Sequence, residues 1–360
     1  MKRVIISSLY SPYVRGGAEQ VAASHATGYQ QADDEVTVMA LQPWTGWRSL
    51  WPTHAAQNGV VIYRWFALNL FSYITIDRHP LWQRLVWHAI DLVNPHSYLV
   101  LRRLLKQLRP DEVEVHIAKG LGYSIFAAIR ASGIPWRLVL HDVQYVVPSG
   151  RLLVGQEGIL RAWWCRLYAA LCRALIGSPT EVLSPSRWLM DFYTQRKFFK
   201  RSRPTVELAF GQLPPVKPLT LTPPGDPARL LFVGQIEAHK GIEWLIHALK
   251  SYELRITNYK LGEKFHLDIV GSGSRLAAVR QLVAGDERFT IWGPVAAEQL
   301  TEFFQRTDFT LVPSRCYENA PTIIVASLRH GVPVIAVAIG GIPEMIAVGI
   351  NGWLMTPKTS

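Results

Sequence analysis

A chain of 360 residues, 49% hydrophobic and 18% charged, is longer than one ordinary core supports and has the composition of a folded protein, so two domains are expected. Its three scattered cysteines make no CxxC pair and no uncharged apolar run reaches about 18 residues, which argues against a disulfide scaffold, a cysteine-based metal site and a transmembrane helix. The formal net charge of +11 favours an anionic partner.

The N-terminal stretch "MKRVIISSLY" predicts a first β-strand, since its apolar run is too short for a signal peptide. It leads into "SPYVRGGAEQVAASHA", where Gly16 and Gly17 fall between this strand and a helix expected to begin near Ala18. Paired glycines at such a turn let backbone N–H groups approach an anion, and the helix dipole favours negative charge there. The spacing is not GxGxxG, so no dinucleotide site is predicted, and a simple tight turn is the alternative.

Short apolar runs typical of strands alternate with helical stretches along the whole chain. The first part contains "EVTVMAL", "GVVIYRW", "EVEVHIA", "WRLVLHD", "EVLSPS" and "TVELAF", and the second contains "RLLFVG", "FHLDIVG", "FTIWG", "DFTLVPS" and "VPVIAVA". This alternation predicts βαβ units and two doubly wound parallel sheets of the α/β class, with ligands at the carboxyl ends of the strands.

A proline-rich stretch separates the two parts. Residues 210–230 read "FGQLPPVKPLTLTPPGDPARL", with six prolines between Pro214 and Pro227. Such a segment is a stiff, exposed linker. We therefore predict an N-terminal domain over 1–212, a linker over 213–228 and a C-terminal domain over 229–360.

Basic and aromatic side chains concentrate in the first part of the chain. Residues 78–109 carry six basic residues against one acid, "QRKFFKRSR" at 195–203 carries five, and "RAWWCRLYAALCRALIG" at 161–177 intersperses three arginines with apolar residues. This pattern predicts contact with an anionic membrane surface. The alternative is a core helix with snorkelling arginines beside a solvated basic loop. No nucleic-acid-binding motif accompanies the charge, so nucleic acid is not an expected partner.

The second part contains three strand-to-helix turns with chemically active residues. In "LLFVGQIEAHKG", Lys240 sits beside Gly241 just before a helix, where a lysine can reach a phosphate as a mobile charge, although a loop lysine is usually only solvated. In "LDIVGSGSRL" the turn carries Gly271 and Gly273. In "YENAPTIIVAS", Glu318 and a proline precede an apolar helix.

This ordered series resembles the second half of the retaining nucleotide-sugar glycosyltransferases of family 4, which have the GT-B fold. The stretches that carry the resemblance are "VGQIEAHKG", "DIVGSGS", "WGPV", "PSRCYENAPTIIVASLRHGVPVIAV" and "GGIPEMIAVGINGWL". The first half matches more loosely, through "SPYVRGGAEQVA", "VEVHIAKGLGYS" and "RLVLHDVQY". The resemblance implies two Rossmann-like domains that face a cleft, the first binding the acceptor and the second the nucleotide-sugar donor.

The resemblance also implies roles for particular residues. His141 and Glu318 match catalytic positions at the reacting sugar, and Lys240 matches the lysine that neutralises the diphosphate leaving group. His141 could instead be a strand-end histidine satisfied by Asp142, and His116 is expected to shape the acceptor cleft or to be structural. The donor-binding set comprises Gly16, Gly17, Gln235, Lys240, Gly271, Asn319, Ala320, Pro321, Thr322 and Ala326. No metal ligand set is visible and no cofactor is expected.

Three departures from the family pattern affect this interpretation. Gln235 stands where many members have arginine, and Ala326 stands where the family's E-x7-E motif has its second glutamate. The chain ends at "NGWLMTPKTS", where relatives continue, so we expect a truncated second domain. A weakly active enzyme or an inactive one is therefore an alternative.

The expected function is that of a cytoplasmic glycosyltransferase associated peripherally with the cytoplasmic face of the membrane. It would move a hexose from a nucleoside diphosphate sugar to a lipid-linked or cell-surface glycan acceptor, with retention of anomeric configuration. Two alternatives stay open: an inactive GT-B scaffold that binds glycan or a partner protein, and a sugar-nucleotide epimerase that needs no acceptor.

Overall fold

The computed structural model describes residues 1–14, 16–207, 227–251, 264–296 and 298–357, together with the short strands at 255–256 and 259–260. The chain divides into two compact units. Unit 1 comprises Met1–Gly150, Leu160–Pro185 and Leu189–Ala209, and unit 2 comprises Arg151–Ile159, Ser186–Trp188 and Phe210–Ser360. The predicted linker 213–228 lies outside the described residues except for its last two positions.

Unit 1 is built on an eight-stranded sheet with the order β3-β4-β2-β1-β5-β6-β7-β8, in which every neighbouring pair is parallel except β3 with β4. Its strands are β1 (Lys2–Ser7), β2 (Glu35–Leu41), β3 (Thr53–Gln57), β4 (Val60–Trp65), β5 (Glu112–Ile117), β6 (Trp136–Val139), β7 (Glu181–Ser184) and β8 (Arg203–Val206). The helices are α1 (Gly17–Gln31), α2 (Leu81–Leu92), α3 (Pro95–Leu108), α4 (Ser124–Ser132), α5 (Trp163–Ile176) and α6 (Arg187–Thr194).

Unit 2 has a six-stranded, fully parallel sheet with the order β13-β12-β9-β14-β15-β16, and a separate antiparallel pair, β10 with β11. The strands are β9 (Ala228–Val233), β10 (Arg255–Ile256), β11 (Tyr259–Lys260), β12 (Phe265–Val270), β13 (Phe289–Gly293), β14 (Phe309–Val312), β15 (Val334–Val337) and β16 (Gly352–Met355). The helices are α7 (Ile242–Lys250), α8 (Leu276–Leu282), α9 (Leu300–Gln305) and α10 (Thr322–Arg329).

Both sheets confirm the predicted doubly wound α/β class. Their central strands are continuous apolar runs because helices cover both faces, as in β1, where Val4, Ile5 and Ile6 are almost fully buried. In each sheet the strand order reverses beside the first strand of the unit: between β1 and β5 in unit 1, and between β9 and β14 in unit 2. The loops after these four strands are therefore the expected places for ligands.

The domain boundary differs from the predicted one in two short segments. Residues 151–159 and 186–188 precede the predicted linker, yet they belong to unit 2. The first segment pairs with unit 2 through a bridge between Leu153 and Cys316, and the Tyr317 N–H donates to the Leu152 carbonyl at 2.8 Å. Such pairing between distant segments is not encoded in local composition, so the sequence did not reveal it.

Among the described residues, no helix is both long enough and apolar enough to cross a membrane. The longest helix of the set, α1, begins at Gly17, one residue before the predicted start. It packs its alanine face, Ala22 and Ala26, on Ile5 and Val38 of the sheet.

Candidate functional site

A lysine–glutamate pair lies at the switch point of unit 2, the place between β9 and β14 where the strand order reverses. Lys240 ends the loop after β9, and Glu318 lies in the loop after β14, the neighbouring strand. The Lys240 Nζ donates to Glu318 Oε1 at 2.6 Å, with the two side chains 27% and 16% exposed. The structure thus brings together two residues that the sequence predicted separately, and it does so because their strands are adjacent.

Further groups fix the ionisation of this pair. The Ser314 hydroxyl donates to Glu318 Oε1 at 3.0 Å. Burial would raise the pKa of Glu318, but the attraction of Lys240 and the hydrogen bond from Ser314 outweigh it and hold the pKa below its ordinary value of 4.5. Burial likewise opposes the charge on Lys240, yet Glu318 raises the pKa of the lysine. Both side chains are therefore charged near neutral pH.

Two basic residues that the sequence reasoning missed lie close enough to act electrostatically on this pair. Burial, with Arg151 and Lys240 nearby, lowers the pKa of His239 to about 4, so this imidazole is neutral at pH 7. The Arg151 guanidinium acts electrostatically on Lys240 and His239. Arg151 reaches this place because residues 151–159 belong to unit 2, and nothing in its local sequence marks it.

Close backbone contacts lock the two loops. Gly241 has φ +75°, and a Cβ there would lie 1.9 Å from the Pro313 carbonyl oxygen, so the turn after Lys240 accepts only glycine. Gly340 has φ +60°, and a Cβ there would lie 2.0 Å from the Glu318 carbonyl oxygen. The Arg315 N–H donates to the His239 carbonyl at 2.8 Å, which ties the lysine loop directly to the glutamate loop.

The residues after Glu318 form the start of α10. The helix begins at Thr322 with Pro321 as N-cap, and no side chain caps it. Asn319 is buried and accepts a hydrogen bond from the Ser186 hydroxyl, while Ala320 is half-buried. An uncapped helix start offers N–H donors and a favourable dipole to an anion.

The other predicted donor residues of unit 2 lie along the same strand ends or on α10. Gln235 is exposed just after β9. The Gly271 N–H, after β12, donates to the Gly293 carbonyl at 2.7 Å. Ala326 lies one turn into α10, half-buried against the apolar cluster that includes Val270 and Phe304.

The glycine loop of unit 1 contains an acid that the sequence reasoning passed over. Gly16 is the N-cap of α1 and Gly17 its first residue. The Gly16 N–H, one of the donors expected to face an anion, donates instead to Glu19 Oε2 at 2.9 Å. Glu19 is buried, so this bond satisfies the carboxylate within the turn.

A chain of hydrogen bonds runs through unit 1 to His141. The Glu114 carboxylate lies 2.8 Å from His116 Nε2, and His116 Nδ1 lies 3.0 Å from His141 Nε2. Glu114 also lies 2.9 Å from His25 Nδ1 and accepts from the Tyr29 hydroxyl at 2.7 Å. His116 is fully buried and Glu114 nearly so.

These distances determine the tautomers. An ionised carboxylate only accepts, so His116 carries its proton on Nε2, and its Nδ1 is left to accept from His141 Nε2–H. Nδ1 is then the unprotonated nitrogen of His141. Burial, together with the neighbouring imidazoles of His116 and His25, lowers the pKa of His141 well below the ordinary value. The arrangement can therefore hold a neutral imidazole in one orientation.

The sequence predicted no metal ligand set, whereas the structure places His25, Glu114 and His116 with one ligand atom each within 4.8 Å of one another. Both imidazoles already bond the carboxylate, and Arg137 Nε lies 3.8 Å from Glu114 Oε2, which opposes a further cation. The stretch "EVEVHIA" contained a signal for this cluster. Strands of a parallel sheet are usually continuous apolar runs, whereas here polar residues alternate with valines.

Replacing Glu114 tests this hydrogen-bond chain. Glu114→Leu removes the acceptor of His25, His116 and Tyr29, and hydrogen bonds to a charged group contribute about 1.5–3 kcal/mol each. We expect urea unfolding to show a loss of at least about 3 kcal/mol. Glu114→Gln keeps an acceptor and is expected to lose less, with the Nε2–H tautomer of His116 retained in ¹⁵N NMR spectra. Equal losses for both variants would show that the acceptor does not stabilise the fold, and a His116 protonated on Nδ1 in those spectra would contradict the assigned tautomers.

Two family models match the chain, one before the predicted linker and one beginning at its end. Residues 16–206 match the family model described as "Glycosyl transferase 4-like domain", and residues 227–360 match "Glycosyl transferases group 1". An uncharacterized 42.6 kDa protein in the cps region of Klebsiella pneumoniae is 22% identical over 96% of this chain and 87% of its own length. D-inositol 3-phosphate glycosyltransferase 2 of Catenulispora acidiphila is 32% identical, over 37% of this chain and 32% of its own length.

Solved structures share the fold. Sucrose-phosphate synthase from Thermosynechococcus elongatus superposes with a TM-score of 0.69 at 17% identity, covering 99% of this chain and 86% of that one. Anabaena Alr3699/HepE in complex with UDP-glucose gives a TM-score of 0.62 at 16% identity, covering 100% of this chain and 86% of that one.

Proposed function

Since the chain belongs to the group 1 glycosyl transferases and has the GT-B fold, we propose that it moves a hexose from a nucleoside diphosphate sugar to a lipid-linked or cell-surface glycan acceptor, retaining the anomeric configuration. The family membership makes it a glycosyltransferase; the donor, the acceptor and the stereochemistry are the proposed part. The observation that carries the proposal is the Lys240–Glu318 pair at the switch point of unit 2.

In the proposed reaction Lys240 neutralises the diphosphate. Negative charge grows on the leaving group as the glycosidic bond breaks, and a positioned cation stabilises that charge more in the transition state than in the ground state. The raised pKa of Lys240 keeps it protonated for this role. Arg151, which acts electrostatically on Lys240, offers a second cation where Gln235 leaves the family's arginine position uncharged.

Glu318 and the start of α10 complete the proposed donor site. Glu318 is ionised and its neighbours hold it in place, as a group that bonds the sugar must be. The uncapped N–H groups beginning at Thr322, preceded by Asn319, Ala320 and Pro321, suit phosphate oxygens. Gly271 would let the backbone come close to the nucleotide.

His141 is the proposed group of unit 1 at the reacting sugar. The hydrogen-bond chain from Glu114 through His116 orients its imidazole, as a group that contacts a sugar hydroxyl must be oriented. Gly16 and Gly17 would contribute backbone N–H groups near the same centre, although Gly16 must first give up its bond to Glu19. No metal and no cofactor is part of the proposal.

Relatives support a nucleotide-sugar donor and a glycan product. Anabaena HepE is described in complex with UDP-glucose, and the trehalose-6-phosphate protein of Escherichia coli is described as bound with UDP-2-fluoro glucose. The Klebsiella relative is encoded in a cps region. We extend both descriptions to this chain as a proposal: a nucleoside diphosphate sugar as donor, and polysaccharide biosynthesis as the process.

Two departures from the family pattern favour a second function, an inactive scaffold. Ala326 offers no carboxylate to a ribose, and Gln235 offers no charge to a diphosphate. Such a protein would bind glycan or a partner protein without turnover. An epimerase would instead convert the donor with no acceptor present, so a single assay with and without acceptor separates all three.

A panel of nucleotide sugars tests the proposal. A donor at about 100 times its Kd stabilises the native state by about 2.7 kcal/mol, which raises the Tm by roughly 3–4 °C for a chain of this size. We expect one nucleoside diphosphate sugar to do so and the free sugar to have no effect. Release of the nucleoside diphosphate should then require an acceptor. A panel with no stabilising member would contradict the donor site, and donor conversion without acceptor would indicate an epimerase.

We also propose that unit 1 binds an anionic membrane surface. Two helices of this unit expose large apolar side chains beside arginines. On α2 these are Leu81, Trp82, Leu85 and Val86, and on α5 they are Trp163, Trp164, Leu167 and Leu171. Exposed apolar faces flanked by basic residues are typical of helices that lie in a membrane interface.

A further inference from the structure

A basic groove lies beside α5 in unit 1. It has a volume of about 800 Å³, within the range of small-molecule sites. Its floor is apolar and includes Val146, Cys165 and Ala169. Five cationic side chains line it: Arg161, Arg166, Arg173, Arg196 and Lys197. Among the described residues that line the groove, none is acidic.

These five cations lack anionic partners within the described part of the chain. Arg173 and Arg196 bond backbone carbonyls, at 3.1 Å to Arg196 and at 2.6 Å to Phe192. The Arg196 guanidinium also packs over the Phe192 ring, 3.9 Å from its centroid, which fixes its position. None of the five forms an ion pair with a described carboxylate. Like charges gathered without a counter-ion make this groove a place where an anion would be stabilised.

The apolar surroundings restrict the kind of anion. Trp163 is 76% exposed, and Trp164, Leu167 and Leu171 are exposed on the same helix. Free phosphate would use the cations but gain nothing from these side chains. An amphiphile with a phosphate head and apolar chains would use both, because tryptophan rings are favoured at the depth of lipid head groups.

We propose that this groove binds the phosphate head group of an anionic lipid in a bilayer, with Trp163 and Trp164 at the level of the head groups. The proposal deepens the membrane association proposed above by naming its site. It does not depend on sugar transfer, because lipid binding can be measured without a donor.

Vesicle co-sedimentation of the full chain tests the groove. The test variant is Arg161→Gln, Arg166→Gln and Lys197→Gln, all at exposed side chains. The matched control removes the same charge from exposed positions of unit 2, as Arg229→Gln, Arg280→Gln and Arg329→Gln. Each basic residue near an anionic surface contributes about 1 kcal/mol, so the test variant should bind vesicles of phosphatidylglycerol and phosphatidylcholine roughly 150-fold more weakly. The control should lose less than about tenfold.

Several outcomes would overturn the proposal. These are equal losses in the test and control variants, equal wild-type binding to vesicles of phosphatidylcholine alone, and tighter binding to duplex DNA or to an acidic peptide. Inorganic phosphate at millimolar concentration should not displace the protein from anionic vesicles; if it does, the site takes free phosphate and not a lipid. Thermal melting confirms that each variant is folded. Failure of sugar transfer by a protein that still binds anionic vesicles would count against the proposed reaction and leave the groove intact.

Discussion

Replacing Lys240 with alanine is expected to lower kcat/KM for sugar transfer roughly 10- to 150-fold, because a hydrogen bond to a charged phosphate contributes about 1.5–3 kcal/mol. The loss should appear in kcat as well as in donor binding, since the charge on the diphosphate grows in the transition state. Steady-state kinetics with varied donor concentration measure both. Arg151 remains in the variant, so residual transfer is expected.

The contact between Lys240 and Glu318 requires a control, because the substitution also leaves a largely buried carboxylate unpaired. Breaking a buried ion pair from one side costs about 3–5 kcal/mol, and removing both charges costs less. We therefore expect Lys240→Ala to be less stable than the double variant Lys240→Ala with Glu318→Gln. A double-mutant cycle on the free energy of unfolding gives the coupling between the two residues.

Sugar transfer and stability should respond differently in the double variant. The double variant should regain stability but not transfer, because the diphosphate still lacks its cation and the sugar has lost the Glu318 carboxylate. If transfer recovered together with stability, Lys240 would be only a structural partner of Glu318. The pH dependence of stability tests the direction of the pKa shift of Glu318. Glu318 has a lowered pKa in the fold, so its contribution to stability is complete above its ordinary value of 4.5 and is lost as the pH falls through the folded value.

The sequence predicted the class of the fold and most loops of the site, because these depend on local patterns. Alternating strand and helix signals identified the loops that hold Lys240 and Glu318. The direct bond between the two side chains depends on β9 and β14 being neighbours, and strand order is set by long-range packing. Arg151 was missed for the same reason: its segment joins unit 2 through the pairing of Leu153 with Cys316.

The sequence predicts the histidine cluster of unit 1 only in part. Strand alternation alone puts Glu114 and His116 on the same face of β5. That His25 meets this carboxylate depends on how α1 packs across the sheet, which a helix pattern does not specify. The sequence therefore identified His116 and His141 as residues of interest, but the role of Glu114 as their common acceptor required the structure.

The second prediction with a large effect concerns Ala326, where the family pattern has a glutamate. Its neighbour cannot take over that role, because Ser327 is fully buried and bonds Thr310 and the Val332 carbonyl. One step along a helix turns a side chain by about 100°. Ala326 itself is only half-buried, on the second turn of α10. A longer side chain at this position therefore has an exit toward solvent or ligand.

Ala326→Glu is expected to bind nucleoside diphosphates about 10- to 150-fold more tightly than the wild type, since one charged hydrogen bond to a ribose hydroxyl contributes about 1.5–3 kcal/mol. Isothermal calorimetry on both proteins measures the difference. The control variant is Ala284→Glu, which adds the same charge at an exposed position after α8. This position lies at the edge of the sheet where β13 begins, and the variant should leave the affinity for nucleoside diphosphates unchanged. The gain should depend on the ribose, so inorganic diphosphate should bind both proteins equally. If Ala326→Glu binds no better than Ala284→Glu, the ribose lies elsewhere and the donor site proposed around Lys240 and Glu318 is wrong.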